Sequence, residues 1–206
     1  MAIQAEHQHN HHPQGRVFEA VYPLSMLCGR GAMARAVAQL AGLSAGDVVV
    51  DVGCGTGTAA RRARREGAGR IVGIDPSARM LRLARRVTAL RRTDGVIFLE
   101  GSAENLPLDA HSATVVWALQ SVHHWEDVAR GLREALRVLA PDGRLLLLER
   151  HVTPGARGHA AHGLTDPQAD ELARQAEETG FISIERRMIR PRRRDFVVTT
   201  AVAPSS

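Results

Sequence analysis

The chain has 206 residues, a length that suits one domain with a sizeable hydrophobic core. Apolar residues make up 44% and charged residues 24%, and no stretch of about eighteen apolar residues is present, which argues against a membrane-spanning protein. The net charge is +5, but aromatic residues are only 3%, too few for the stacking surfaces that bind single-stranded nucleic acid. Composition therefore disfavours a nucleic-acid partner.

The N-terminal segment 1–15 is polar and rich in histidine, and it lacks the hydrophobic run of a secretory signal. We therefore expect a disordered tail there and a single domain over residues 16–206. The sequence contains two cysteines, Cys28 and Cys54. Without an export signal they predict reduced thiols and a cytoplasmic protein.

Hydrophobic periodicity predicts that strands and helices alternate along the chain. Residues 16–42 carry apolar residues at helical spacing, with breaks near Pro23 and Gly29–Gly31, and predict an N-terminal helical cap of two helices. The other predicted helices are 58–67, 77–92 with Ser77 as its N-cap, 126–140 and 166–180. The predicted strands are 48–52, 70–75, 96–101, 112–119, 144–150, 181–189 and 195–203, with a turn at 141–143.

The order of these elements predicts the fold class. Strands that alternate with helices form right-handed βαβ units, and hence a mostly parallel sheet with helices on both faces. The last two strands have no helix between them, which predicts an antiparallel hairpin at one edge of the sheet. We therefore expect an α/β protein with a doubly wound, Rossmann-like sheet of seven strands.

A glycine-rich loop, GCGTG at 53–57, follows the first strand. Its G-x-G-x-G spacing differs from the G-x-G-x-x-G of dinucleotide-binding folds, and Asp51, two residues before it, would repel a pyrophosphate. Asp75 ends the next strand, where a carboxylate can accept both hydroxyls of a ribose. These features indicate a ligand with an ammonium group and a ribose but no phosphate, a description that S-adenosylmethionine meets.

Four motifs in order carry a family resemblance. They are VVVDVGCGTGTAA (48–60), VGIDPSARML (72–81), FLEGSAENLPL (98–108) and LREALRVLAPDGRLLLLE (132–149). With them the chain resembles the class I S-adenosylmethionine-dependent methyltransferases that act on small molecules, and it is similar to the ubiquinone and menaquinone-biosynthesis group. The resemblance covers the cofactor-binding core, about residues 45–150.

The resemblance implies S-adenosylmethionine as cofactor and S-adenosylhomocysteine as product. The implied cofactor-binding residues are Asp51, Gly53, Cys54 and Gly55 for the methionine part, Asp75 for the ribose, Pro76, Met80, Ser102 and Ala103 for the adenine, and Leu119, Gln120 and Ser121 for the sulfonium side. Ser102 stands where the family usually has Asp. A serine can accept or donate a hydrogen bond without charge assistance, so we expect weaker binding of the cofactor.

Two histidines, His123 and His124, follow the fourth strand, at the position that faces the methyl group in related proteins. Either is a candidate catalytic base for an acceptor hydroxyl or acidic carbon, because histidine is the residue that most often takes a proton in catalysis. The alternative is a structural role, in which one histidine caps the following helix or packs against Trp125.

The loop after the fifth strand, 151–163, contains His151, His159 and His162. Because the fourth and fifth strands are expected to be neighbours, the five histidines are expected near the acceptor, as a metal site, an acid–base cluster or a chance grouping. No pair of them has a recognised zinc-ligand spacing, so no metal is assigned. Phe18 and Tyr22 are candidates for a lid over the cofactor, and a place in the core is the alternative.

The sequence therefore predicts methyl transfer to a small or lipid-like molecule through O- or C-methylation. No N-P-P-Y-like sequence follows the fourth strand, which argues against transfer to nucleobase or amide nitrogen. Two alternatives remain: a non-catalytic cofactor-binding or regulatory partner subunit, and a nucleic-acid methyltransferase that uses the Arg-rich helices. The simpler interpretation of those arginines, in 61–70 and 80–92, is a solvated helix surface. A homodimer is left open.

Overall fold

The computed structural model describes residues 30–156, 162–191 and 194–205. The predicted disordered tail, the first of the two N-terminal helices, the proposed lid residues and His159 lie outside these ranges. Within these ranges no helix combines the length and the apolar content needed to cross a bilayer.

Helices and strands alternate as the periodicity predicts. The helices are α1 (Arg30–Ala41), α2 (Thr58–Arg65), α3 (Ala78–Leu90), α4 (Val128–Val138) and α5 (Asp166–Thr179), with a short 3₁₀ turn at Val122–His124. The strands are β1 (Val48–Val52), β2 (Arg70–Asp75), β3 (Val96–Glu100), β4 (Ala113–Leu119), β5 (Leu139–Arg150), β6 (Ile182–Ile189) and β7 (Phe196–Val202). All seven predicted strands are confirmed.

The strands form one sheet in the order β3-β2-β1-β4-β5-β7-β6. Strands β1 to β5 are parallel, whereas β7 runs antiparallel between β5 and the edge strand β6. The predicted fold class and the antiparallel hairpin are therefore confirmed. The strand order reverses between β1 and β4, and in open α/β sheets ligands bind at such a switch point, beyond the carboxyl ends of the strands.

Side chains from the two faces of the sheet enter two hydrophobic clusters. Trp117 and Leu119 of β4 point to the face covered by α1, α2 and α3, whereas Val116 and Ala118 point to the face covered by α4 and α5. This alternation follows from the period of two along a strand. Both faces are buried, which explains the nearly continuous apolar sequence of β1, β4 and β5.

The predicted turn at 141–143 lies inside β5. The strand already begins at Leu139, opposite Ala113, and the register shifts before Val115 pairs with Arg144. Asp142 takes a positive φ of 62° in this bulge. The turn residues of the PDG sequence therefore produce an irregularity within the strand and not a boundary between a helix and a strand.

The expectation that the Arg-rich segments are solvated is wrong at one position. Arg82 and Arg86 on α3 and Arg65 on α2 are exposed, but Arg61 is only 4% exposed. Its guanidinium donates hydrogen bonds to the carbonyl oxygen of Thr56 at 2.8 Å and to the hydroxyl of Thr88 at 3.2 Å. Arg61 therefore links the end of the glycine loop to α3.

A buried carboxylate organises the opposite, amino end of the sheet. Asp47 accepts hydrogen bonds from the backbone N–H of Ser44 at 2.7 Å, from the hydroxyl of Thr114 at 2.7 Å and from the guanidinium of Arg144 at 2.5 Å. Burial alone would raise the pKa of Asp47, but the hydrogen bonds from Thr114, Ser44 and Arg144 outweigh it and lower this pKa. The interaction ties the entry of β1 to β4 and β5.

Replacing Asp47 by Asn is expected to lower the free energy of unfolding by about 2–4 kcal/mol at neutral pH. A carboxyl with a lowered pKa in the folded state stabilises the fold above its unfolded pKa of about 3.9 and loses this contribution as the pH falls through the folded value. The difference between the wild type and Asp47→Asn should therefore shrink below about pH 4. Urea unfolding across this range measures it, and a difference that stays constant would contradict the assignment.

Candidate active site

The glycine loop folds over the carboxyl end of β2. The N–H groups of Gly53 and Cys54 both donate to the carbonyl oxygen of Ile74, at 2.8 and 2.9 Å. Gly53 and Gly55 adopt positive φ angles of 71° and 53°, which residues with a β-carbon rarely take. The loop therefore exposes backbone at the switch point, where a ligand can approach it closely.

Gly53 is also in close contact with the chain that follows β4. A β-carbon at Gly53 would lie 2.5 Å from the β-carbon of Ser121. The hydroxyl of Ser121 donates a hydrogen bond to the carbonyl oxygen of Val52 at 2.8 Å. The absence of a side chain at Gly53 thus allows the ends of β1 and β4 to come together.

Replacing Gly53 by Ala is expected to lower the free energy of unfolding by about 2–4 kcal/mol, because the new methyl group meets Ser121 and the positive φ is strained. Adding Ser121→Gly removes the clash but not the strain. A double-mutant cycle by chemical denaturation should give a favourable coupling energy of about 1 kcal/mol or more. Additive effects of the two substitutions would show that the contact is not the cause.

Asp75 connects the glycine loop to helix α3. Asp75 is 8% exposed. One of its carboxylate oxygens accepts the N–H of Gly55 at 2.8 Å, and the other accepts the N–H of Ser77 at 2.9 Å. Ser77 in turn accepts from the N–H of Met80 at 3.3 Å, which confirms it as the N-cap. Each carboxylate oxygen has a second lone pair, so Asp75 can also accept ligand hydroxyls.

A small pocket lies between the glycine loop and α1. Four of the predicted cofactor-binding residues line it, together with three that the sequence did not indicate. The lining residues are Met33, Asp51, Gly53, Cys54, Thr58, Ala59 and Leu119. Met33 comes from the predicted cap helix, where its helical spacing marked it as apolar but not as part of a site. Thr58 and Ala59 form the first turn of α2.

Cys54 is buried in the wall of this pocket. Burial raises the pKa of its thiol, and the nearby carboxylates of Asp51 and Asp75 raise it further. The thiol therefore stays protonated near neutral pH. Since a thiolate is the nucleophilic form of cysteine, Cys54 contributes shape and not reactivity.

The residues predicted for the adenine lie beside Asp75 and outside the small pocket. Asp75 is paired with Glu100 of β3, and the N–H of Gly101 reaches the carbonyl oxygen of Asp75 at 3.4 Å. Ser102 is half-buried at the start of the next turn, whereas Ala103 is packed into the hydrophobic core, so only its backbone is suited to a ligand. Pro76 is exposed and Met80 half-buried at the start of α3.

The chain just beyond β4 has an unusual backbone. Gln120 takes a positive φ of 55°, and its N–H donates to the carbonyl oxygen of Leu148 in β5 at 2.7 Å. Non-glycine residues in this conformation are strained, and such strain is concentrated at functional sites. Of the three residues predicted for the sulfonium side, Leu119 lines the pocket and Ser121 contacts Gly53. For Gln120 the structure describes a contact with β5 and not with the glycine loop.

A buried glutamate holds the first of the two adjacent histidines. Glu149 of β5 is 1% exposed, and its carboxylate accepts the N–H of Val122 at 2.8 Å and contacts Nδ1 of His123 at 2.8 Å. A carboxylate accepts hydrogen bonds, so this contact favours the tautomer of His123 that carries its proton on Nδ1. The other ring nitrogen, Nε2, is then the acceptor atom of His123.

Three of the five predicted histidines come together. The ring centroids of His123 and His124 lie 4.0 Å apart, and that of His162 lies 5.6 and 6.0 Å from them. His151 instead contacts the carboxylate of Asp166 at 3.3 Å. The prediction of one group of five is therefore wrong for His151, because its ring turns towards the start of α5.

The residues present fit S-adenosylmethionine. The loop offers backbone without side chains, Asp51 lies in the pocket wall, and Asp75 retains acceptor capacity at the end of β2. This fold and site are similar to those expected of a class I S-adenosylmethionine-dependent methyltransferase domain. The family model described as "Methyltransferase domain" matches residues 50–147 of this chain.

Curated relatives and solved structures agree with this assignment. The chain is 38% identical over 117 residues to 27-O-demethylrifamycin SV methyltransferase of Amycolatopsis mediterranei, covering 56% of this chain and 43% of that protein. It is 37% identical over 101 residues to demethylmenaquinone methyltransferase of Chlorobaculum tepidum, covering 49% of this chain and 40% of that protein. The chain thus spans less than half the length of these two relatives.

Phosphoethanolamine N-methyltransferase 2 of Haemonchus contortus, solved with S-adenosyl-L-methionine, has the same fold. The TM-score is 0.75 at 18% sequence identity, and the match covers 91% of this chain and 57% of that chain. At this identity the likeness concerns the fold alone.

Proposed function

We propose that the protein transfers a methyl group from S-adenosylmethionine to a small or lipid-like acceptor through O- or C-methylation. The observation that carries this proposal is Asp75, a buried carboxylate at the end of β2 that anchors the loop at Gly55 and still has free lone pairs. When bound, the cofactor supplies an electrophilic methyl group on a sulfonium sulfur. The relatives named for rifamycin and menaquinone precursors support a small-molecule acceptor.

The residues of this chain have three tasks in the proposed reaction. The backbone of the glycine loop and Asp51 bind the methionine part, and Asp75 orients the ribose. In this proposal the acceptor binds beside the turn at Val122–His124, and His123 and His124 are the proposed catalytic residues. Alignment of the acceptor with the methyl group is itself the main contribution, because a positioned displacement avoids most of the entropic cost.

The test is calorimetric titration with S-adenosylmethionine and S-adenosylhomocysteine, followed by an acceptor screen. Release of S-adenosylhomocysteine in the presence of hydroxylated or quinone-like small molecules is the expected result. Absence of cofactor binding to the folded protein would overturn the proposal. Binding without turnover on any acceptor would favour a non-catalytic partner subunit.

The nucleic-acid alternative makes a separate prediction about salt. The exposed arginines of α2 and α3, such as Arg65, Arg82 and Arg86, would neutralise phosphates, so affinity for RNA or DNA would fall steeply as salt increases. We expect only weak binding, because these side chains form an ordinary solvated helix surface.

A cytoplasmic location and a homodimer are further proposals. Cell fractionation tests the location, and light scattering tests the oligomeric state.

A further inference from the structure

We infer that His123, His124 and His162 form a binding site for a divalent transition-metal ion such as Zn²⁺. One nitrogen of each imidazole can serve as a ligand, and these three atoms all lie within 4.8 Å of one another. The inference uses the proposed methyl transfer only to give the ion a role. Binding of the ion itself depends on the three side chains.

His123 is the anchored ligand of the three. Its Nδ1 is held by the buried carboxylate of Glu149, which leaves Nε2 for the ion. A metal-binding histidine usually donates its other N–H to a carboxylate or carbonyl, which fixes the ring and makes the ligand atom more basic. Glu149 supplies this support from β5, and its other oxygen accepts the N–H of Val122.

His162 lies near the pair because the neighbouring residues Gly163 and Leu164 pack against the end of β5. The N–H of Leu164 donates to the carbonyl oxygen of Arg150 at 2.9 Å, and the N–H of Val152 donates to that of Leu164 at 3.0 Å. Gly163 packs directly on the carbonyl of Arg150, where a β-carbon would lie 2.1 Å from its oxygen. This backbone contact fixes the position of His162 beside a turn that is about forty residues earlier in the chain.

The distances require only a small adjustment. In a tetrahedral zinc site with Zn–N bonds of about 2.0–2.1 Å, the nitrogens lie about 3.3 Å apart. His123 is held by Glu149, whereas His124 and His162 are exposed, so the adjustment is expected in the two exposed side chains. Three protein ligands also leave a fourth position open, as in catalytic zinc sites.

Ligand chemistry selects the class of ion. Three imidazoles favour Zn²⁺ and similar transition metals, whereas Mg²⁺ and Ca²⁺ prefer oxygen ligands. The nearby carboxylate of Glu149 already has Val122 and His123 as partners. The general-base role predicted for His123 uses the same Nε2 atom, so it is excluded while the ion is bound. In the proposed enzyme the ion then faces the acceptor side.

The experiment is a titration of the full chain with Co²⁺, whose visible absorption reports low-coordinate nitrogen ligation. The histidine-rich tail is a competing site, so its four histidines, His7, His9, His11 and His12, are first replaced by Ala in the full-length background. We expect one equivalent of Co²⁺ to bind, Zn²⁺ to displace it and Mg²⁺ to have no effect.

Variants in that background identify the site. His162→Ala and His123→Ala should each weaken Co²⁺ affinity by about 100-fold or more, and Glu149→Gln by about 10- to 100-fold. His151→Ala is the matched control, because it removes a histidine of the same loop that points to Asp166, and it should leave affinity unchanged. No Co²⁺ absorption, or absorption that survives both ligand variants, would overturn the inference.

Cofactor titration of the same samples separates the two proposals. S-adenosylmethionine binding without Co²⁺ binding would reject the metal site and keep the proposed function. Co²⁺ binding without S-adenosylmethionine binding would keep the metal site and reject the proposed function. His162 is exposed and lies outside the core, so the variant His162→Ala should fold. A loss of Co²⁺ binding in this variant would therefore not be caused by unfolding.

Discussion

Replacing Asp75 by Ala should lower the affinity for S-adenosylmethionine by at least about 100-fold. Two charge-assisted hydrogen bonds to ribose hydroxyls, at about 1.5–3 kcal/mol each, exceed the roughly 2.8 kcal/mol that this factor requires. The variant also removes the acceptor for the N–H groups of Gly55 and Ser77, so the loop and the start of α3 lose a shared anchor. Calorimetry measures the affinity, and thermal unfolding measures the cost to the fold.

A second substitution separates these two effects. Asp75→Asn retains one oxygen that can accept a backbone N–H but lacks the charge and one acceptor. We expect it to lose most of the affinity while it retains more stability than Asp75→Ala. The control is Asp94→Ala, whose side chain is 85% exposed. Nanomolar or unchanged binding in Asp75→Ala would show that the ribose is bound elsewhere.

The position of Asp75 could be predicted because it depends on local patterns. A buried strand ends where the apolar run ends, and parallel strands bring such ends to one edge. The same reasoning placed the glycine loop and the turn with His123 and His124 at that edge. It also gave the order of helices and strands, since periods of 2 and 3.6 are properties of short segments.

The contacts that join distant segments could not be predicted in this way. His162 approaches His123 only because Leu164 and Arg150 hydrogen-bond across the loop, a path that no periodicity encodes. The spacing of zinc ligands along the sequence is likewise uninformative when the ligands come from two separate loops. Met33 lines the pocket because α1 packs beside the glycine loop, a packing choice made by the whole fold.

Arg61 is the clearest case of a residue whose sequence environment was misleading. It lies in TAARRARR, where two pairs of arginines suggested a solvated helix, but α2 is short and rich in Ala, so the helix packs close to its neighbours. Burial lowers the pKa of Arg61 to about 10, with smaller contributions from Arg91 and Arg65. The guanidinium therefore stays protonated at neutral pH, and it donates to Thr56 and Thr88.

Replacing Arg61 by Ala should lower the free energy of unfolding by about 2–4 kcal/mol. The substitution leaves a cavity and removes the described donor to the buried carbonyl oxygen of Thr56, and each effect costs about 1–3 kcal/mol. Loss of a costly buried charge offsets part of this, because burying a guanidinium opposes folding. Chemical denaturation measures the free energy of unfolding of Arg61→Ala. The control is Arg65→Ala on the same helix, which should change this free energy by less than about 0.5 kcal/mol.

The same substitution should weaken S-adenosylmethionine binding, because Thr56 lies within the glycine loop and Arg61 fixes the end of that loop to α3. The variant Arg61→Met separates the contribution of side-chain packing from that of the guanidinium hydrogen bonds. It fills much of the space and removes the buried charge, so it should recover part of the stability but not the affinity. If Arg61→Met bound the cofactor as well as the wild type, packing alone would hold the loop, and the hydrogen bond to Thr56 would have no part in it.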